Sequence, residues 1–285
     1  MAVTLVADEA DVLIRNKEQC LRHVQSETSM VVDEVMATVT PPEQLTWART
    51  LCWSLAQIGS DGVPKIRVRT SLEQIREFYE ERRRDAILAE VRPQITDVRT
   101  RWYVFHESQA IPMRNVTTGR LHDVETAGLF LMDGSEGISS EITWLRCAQV
   151  PIDASQRTDR WQAYLAALRA QDVAGVLRLM APSVQGAVRD YFEADPPFIA
   201  LDGEAEMRAY YEKFFRNASV LDLTVVTSLV KEWFVFHDLR WHVRLDRGAE
   251  RGREVRFRTA EYMPFDAEGR FQARCGYGTE FEAVI

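Results

Sequence analysis

Six residues, WYVFHE at 102–107, return almost unchanged as WFVFHD at 233–238. A chain of 285 residues with seven tryptophans and five histidines thus repeats both scarce letters at matching places, 131 positions apart. The neighbourhood repeats with them. IREFYE (75–80) is echoed by MRAYYE (207–212) at a spacing of 132, and Thr126-Ala127 and Asp133 by Thr259-Ala260 and Asp266 at 133. Anchors that keep their order while the spacing drifts by two residues describe a duplicated domain with one hairpin lengthened in the second copy. Two domains are therefore expected, 1–150 and 151–285, joined at PIDASQRT (151–158). Each is long enough to fold around a core of its own.

Both copies open with helices and close with strands. In the second, AYLAALRAQDVAGVLRLMA (163–181) spaces Tyr164, Leu165, Leu168, Val173, Val176, Leu177 and Met180 as a helix does, with Gln171-Asp172 as a break and restart. Another helix is expected over Glu204–Phe215. After Ser219 the pattern changes to alternation rich in Val, Phe, Trp and Thr, in four strands with turns at Asp246–Gly248 and Asp266–Gly269. The first copy predicts helices over 10–38, 42–58 and 71–84 and strands from about 95 to 150, with a turn at Asp133–Gly137. Helices followed by a curled antiparallel meander give an α+β fold in which the helices cover one face of the sheet and can leave a pocket there.

Along the repeated phrase, Trp233, Val235, His237, Leu239, Trp241 and Val243 share one strand face, and Phe234, Phe236, Asp238, Arg240 and His242 the other. Both faces are partly apolar, so the strand is expected to be buried on both sides. Along the next strand, Val255, Phe257, Thr259, Glu261 and Met263 share a face that is less charged than the face of Glu254, Arg256 and Arg258. A carboxyl buried among Val, Phe and Met is pushed toward its neutral form and can donate a hydrogen bond to a developing oxyanion. The alternative is that Glu261 pairs with an arginine such as Arg274 on the following strand. His237 and its counterpart His106 are either packed residues with satisfied nitrogens or strand bases.

The runs AYLAALRAQDVAGVLRLMA, MRAYYE and RTAEYMPFDAEG resemble the nuclear-transport-factor-2-like (SnoaL-like) family, and within it the ketosteroid isomerases. The resemblance covers nearly all of the second copy and the back half of the first. It implies two tandem cone-shaped domains, each with N-terminal helices packed on a curved antiparallel sheet. It also implies a pocket residue set in the second copy. Tyr164 falls on the position of a tyrosine and Glu261 on that of a protonated acid in an oxyanion hole, a pairing the general account of such isomerases also describes. Asp190 is the nearest candidate for the base that moves the proton, with Glu193 and Asp195 as alternatives. Phe234, Phe236, Asp238, Phe257 and Tyr211 are implied as pocket walls, so that the Trp233, Val235, His237 face becomes the back of the sheet. That back, repeated as Trp102, Val104 and His106, is expected to pair the copies as an intramolecular pseudo-dimer, with further homo-oligomerisation open. Some dehydratases and lyases of this fold use a strand histidine, which keeps His237 and His106 as alternative catalytic residues. In the first copy Gly128 stands at the Glu261 position and the first helix has no tyrosine. That copy is therefore expected to be the degenerate one.

The implied activity is a cofactor-independent isomerase, cyclase or dehydratase acting on a small hydrophobic carbonyl compound, steroid-like or polyketide-like. A non-catalytic ligand-binding or scaffold protein is the other reading. Hydrophobic residues make up 46% and charged ones 27% of the chain, as in ordinary globular proteins, and the net charge of -8 argues against a nucleic-acid partner. No run approaches the roughly 20 apolar residues of a membrane span. The N-terminal MAVTLVADEADVLIRN lacks a signal-peptide pattern. Four isolated cysteines without CxxC spacing read as reduced thiols of a cytoplasmic protein, with no metal site expected.

Overall fold

Helical and strand periodicities sort the chain into two compact units in the computed structural model, which describes residues 2–29, 31–45, 48, 50–58, 64–90, 96–132, 137–147, 156–192 and 195–284. One unit takes in Met1–Ala56 and Val68–Gln149, the other Gln57–Arg67 and Val150–Ile285. The turn residues 133–136, the linker residues 151–155 and Glu193 lie outside the described residues.

Around the first unit's sheet the chain runs α1 (Ala2–Ser29), α2 (Val32–Met36), β1 (Cys52–Ile58), β2 (Pro64–Arg69), α3 (Leu72–Asp85), β3 (Ala86–Leu88), β4 (Thr96–Arg99), β5 (Tyr103–Asn115), β6 (Leu121–Leu131) and β7 (Ser140–Cys147), with the end of β1 and most of β2 falling in Gln57–Arg67. That sheet has the order β2-β1-β7-β6-β5-β3, with β4 also paired to β5. The second unit runs α4 (Arg157–Ala170), α5 (Val173–Leu177), β8 (Met180–Arg189), β9 (Phe198–Asp202), α6 (Gly203–Asn217), β10 (Ala218–Val230), β11 (Phe234–Leu245), β12 (Glu254–Pro264), β13 (Phe271–Gly278) and β14 (Glu282–Ala283). Its sheet has the order β9-β8-β13-β12-β11-β10, with β14 also paired to β12, and its six-strand path follows the order of the first. Both units are α+β cones with helices packed on a curved sheet.

Local chemistry explains several of these boundaries. Helix α4 stops where Gln171 turns left-handed (φ 56°), and the Asp172 carboxylate accepts the Gly175 N–H at 2.8 Å to start α5. This is the expected break at Gln171-Asp172. The turn after β12 closes with Arg270 N–H donating to Asp266 Oδ1 at 2.7 Å while Gly269 takes φ 72°, a conformation that favours glycine.

Three expectations need correction. The helix expected over 42–58 is a single 3-10 turn at Pro42–Gln44 followed by β1. CWSLAQI is apolar on both sides because β1 lies inside the sheet, and a short run of that kind has no period that separates strand from helix. The same holds for MAPSVQGAVR, whose first residues were placed in a helix and which forms β8. Nor is either sheet wholly antiparallel: β1 pairs parallel with β7, and β8 with β13. A parallel pair needs a crossover, and the helices and remaining strands supply it.

The third correction concerns the strand faces. Val235, Leu239, Trp241 and Val243 pack in one cluster with Trp161, Tyr164 and Leu168 of α4 and Tyr211 and Phe214 of α6. The Trp161 ring stacks on His237 at 4.7 Å. The Val235/His237 face is therefore the one the helices cover, and so is that of Val104 and His106 in the first unit, where His106 meets Cys20 of α1. Phe234, Phe236 and Asp238 are fully buried on the opposite face, away from the helices, so they do not line the helix-covered pocket. The alternation was legible; the side chosen by the helices was not, because both faces are apolar enough to be covered.

Among the described residues no helix is long and apolar enough to cross a membrane.

Candidate active site

A cleft of about 250 Å³ opens between α6 and the sheet of the second unit, lined by Tyr191, Tyr210, Tyr211, Phe214, Phe215, Trp241, Phe257, Thr259 and Arg274. Its walls are aromatic because α6 contributes the YYEKFF run while β11 and β12 contribute Trp241 and Phe257, stacked with ring planes 3° apart at 5.7 Å. The charged group in the lining is Arg274 of β13.

Arg274 is held by Glu261 of β12. Its Nε donates to Oε2 at 2.9 Å and its Nη2 to Oε1 at 2.6 Å, a two-point contact that fixes the plane of the guanidinium. Both side chains are about one-twentieth exposed. Gly276 makes the approach possible, since a Cβ there would lie 2.5 Å from Glu261 Cγ and 2.3 Å from the Ala260 carbonyl. The Tyr210 and Tyr211 rings flank the guanidinium at 5.0 and 5.1 Å. Arg274 Nη1 has no partner among the described residues. The Tyr191 hydroxyl is equally buried and unpartnered, seated over Gly278.

This geometry corrects the role expected of Glu261. Burial opposes its ionisation, but the Arg274 guanidinium and the His237 contact at 3.3 Å outweigh burial and hold its carboxyl at about 2. An ionised glutamate accepts hydrogen bonds and cannot act as the protonated donor of an oxyanion hole. The alternative pairing with Arg274 is the one found. The Tyr164 hydroxyl is buried and shares a hydrogen bond of 2.9 Å with the Tyr211 hydroxyl, with burial raising the pKa of both. Tyr164 thus stands behind Tyr211 and supports the cleft from outside its lining.

Asp190 follows β8 and is buried, but its carboxylate pairs with Lys213 of α6 and accepts the Phe192 N–H at 3.0 Å. The structure does not bring it together with Tyr164 and Glu261. Asp195 is exposed. Asp238 is bound by Arg258, whose Nε donates to Oδ1 at 3.1 Å, on the far face of the sheet. Of the expected walls, Tyr211 and Phe257 line the cleft. His237 is buried against Trp161 and Glu261 with Nδ1 unpartnered among the described residues. Sequence reasoning passed over Tyr191, Trp241 and Thr259 as lining residues; the parity that joins Trp241 to His237 pointed to it once the covered face was known.

The corresponding positions of the first unit hold different chemistry. Register partners Glu261–Gly276 in the second unit correspond to Gly128–Thr143 in the first, which sets Glu141 of β7 where Arg274 stands. Tyr79, the counterpart of Tyr211, donates to Glu141, and so does Trp53 Nε1 at 3.1 Å. These donors, with His23 and Arg82, offset the burial that opposes ionisation and hold Glu141 at about 2. His23, Glu27 and Glu141 offer ligand atoms within 4.8 Å of one another, as a metal site would. Each is already engaged, His23 with Thr38, Glu27 with Arg82 and Glu141 with Tyr79, so the cluster is a hydrogen-bonded ion-pair network. The thiols of Cys20, Cys52 and Cys275 are buried.

A family model described as "SnoaL-like domain" matches residues 161–273. Solved structures with a similar arrangement include an LEH-like epoxide hydrolase of M. tuberculosis (12% identity, TM-score 0.34, 46% of this chain and 85% of that one). The epoxide hydrolase/cyclase-like enzyme SalBIII of pyran ring formation in polyether salinomycin is another (11%, TM-score 0.35, 46% and 93%). A third is RV0760c from Mycobacterium tuberculosis (16%, TM-score 0.35, 44% and 90%). Comparison with curated proteins gives no match.

Proposed function

From the premise that residues 161–273 form a SnoaL-like domain, we propose that the second unit is a cofactor-independent enzyme that moves a proton on a small hydrophobic carbonyl compound. Isomerisation, cyclisation and dehydration are the reaction types this chemistry serves. The observation that carries the reading is the Arg274 guanidinium, fixed by Glu261 in an aromatic cleft and left with Nη1 free of partners among the described residues. A fixed N–H donor in a site screened from water stabilises charge that develops on a carbonyl oxygen, without reorganising during the reaction. The Tyr191 hydroxyl is a second unengaged donor, and burial raises its pKa, so it stays protonated. In this reading Arg274 and Tyr191 hold the oxyanion, and Tyr164 and Glu261 have positioning roles.

Glu261 contacts His237 through Nε2, but His237 is buried against Trp161 outside the cleft lining, so this reading assigns no proton acceptor. The test is fluorescence titration with 2-acetyl-1-naphthol, a phenolic aryl ketone. Binding that weakens about tenfold or more in both Arg274→Lys and Tyr191→Phe supports the assignment. Binding indifferent to both sinks it and favours a scaffold protein.

A further inference from the structure

The aromatic cleft of the second unit contains a further polar group whose hydrogen-bonding capacity is only half used. Thr259 of β12 lines the cleft and is 3% exposed, and its Oγ1 accepts the indole N–H of Trp241 at 3.1 Å. An indole N–H can only donate, so the Thr259 hydroxyl keeps its own hydrogen for another acceptor. The described residues supply none. A buried donor costs stability unless something engages it.

The position of Thr259 narrows what that partner is. Phe257, Thr259 and Glu261 follow one another along the helix-covered face of β12, and Cα atoms two apart on a strand are separated by roughly 7 Å. Phe257 stacks on Trp241, its register partner, and the two rings form a flat wall. Glu261 holds Arg274. The Thr259 hydroxyl therefore stands between the aromatic wall and the level of the guanidinium, and it meets a bound ligand at a different point from Arg274. Around it, Tyr210 donates to the Arg189 carbonyl at 3.1 Å, Tyr211 shares a hydrogen bond with Tyr164, and the unpartnered Arg274 Nη1 can only donate. A ligand that answers both Thr259 and Arg274 brings two acceptor oxygens.

We infer that Thr259 is a specificity-determining residue of the second unit, its hydroxyl donating to a second oxygen of a flat carbonyl compound whose first oxygen meets Arg274. This rests on the carbonyl-binding role proposed above for Arg274 and Tyr191. It narrows the substrate class to aryl ketones that carry another oxygen beside the carbonyl.

The experiment uses the full chain and two probes that differ by one oxygen, 2-acetyl-1-naphthol and 2-acetylnaphthalene, titrated by calorimetry. In the unaltered protein the naphthol should bind at least about threefold tighter. Thr259→Val should weaken the naphthol about three- to tenfold and the acetylnaphthalene less than about twofold, the size of one neutral hydrogen bond. Thr259→Ser keeps the hydroxyl and should keep the preference, while Arg274→Lys and Tyr191→Phe should weaken both probes. Thr259→Val also strips the Trp241 N–H of its acceptor, so the readout is the ratio of the two affinities within each variant. A displaced indole or a loss of stability lowers both affinities and leaves that ratio alone. Equal binding of the two probes by the unaltered protein, or an unchanged ratio in Thr259→Val, overturns the inference and leaves the role of Arg274 standing. Indifference of both probes to Arg274→Lys and Tyr191→Phe, or failure of both to bind, overturns the carbonyl-binding role and the inference with it.

Discussion

The two helix-covered faces are built on the same strand order and carry opposite charges at the same place. In the second unit Arg274 reaches into an aromatic cleft and Glu261 holds it; in the first, Glu141 occupies the position of Arg274, and Gly128 that of Glu261. A histidine sits on the corresponding strand of both, His237 against Glu261 and His106 against Gly128, where a Cβ would be 3.2 Å from its Nε2. The helix tyrosines follow suit, with Tyr211 hydrogen-bonded to Tyr164 and Tyr79 to Glu141. The contrast teaches that the fold fixes where polar groups face the helices, while a few strand residues decide whether the face is cationic or anionic.

The sharpest way to break the comparison is to remove one half of the Glu261–Arg274 pair. Glu261→Gln leaves a buried guanidinium with a neutral partner, and the second unit should lose about 3–5 kcal/mol in urea unfolding. Insensitivity to the change would show that the pair is not closed in solution.

Next in size is an acid effect confined to the first unit. The folded pKa of His106 is depressed to about 4 by burial, so the unfolded state binds the proton first as pH falls below about 6.5. Stability should therefore fall between about pH 6.5 and 4, by something on the order of 3 kcal/mol, and His106→Gln should remove that slope. Glu141 and Glu261 act lower: their depressed values mean that stability present above about pH 4.5 is lost as pH falls toward 2.

Gly276→Ala comes third. The added Cβ would meet backbone and the Glu261 side chain, and a cost of about 1–3 kcal/mol is expected from thermal unfolding. A pair of tyrosine variants sharpens the comparison most directly, through a difference of about 1 kcal/mol between them. Tyr79 donates to an ionised carboxylate and Tyr164 shares a bond with another phenol, so Tyr79→Phe should cost roughly 1.5–3 kcal/mol and Tyr164→Phe roughly 0.5–1.5. Equal costs in parallel denaturant titrations would mean that Glu141 is not ionised.

The repeated hexapeptide, the helix restart at Gln171-Asp172 and the alternation along β11 and β12 are covalent patterns with a fixed period, and a single sequence displays them in full. They determined that the chain is α+β, that it writes one architecture twice, and which side chains share a face. What they left open was set by distant partners. CWSLAQI became a strand because β7 lies beside it, and Val235 and His237 face the helices because Trp161 and Tyr164 pack there. Glu261 was legible as a buried acid with two futures. Only the approach of Arg274 across Gly276 made it an anion, because a buried carboxyl takes its charge from whatever the tertiary structure sets within reach.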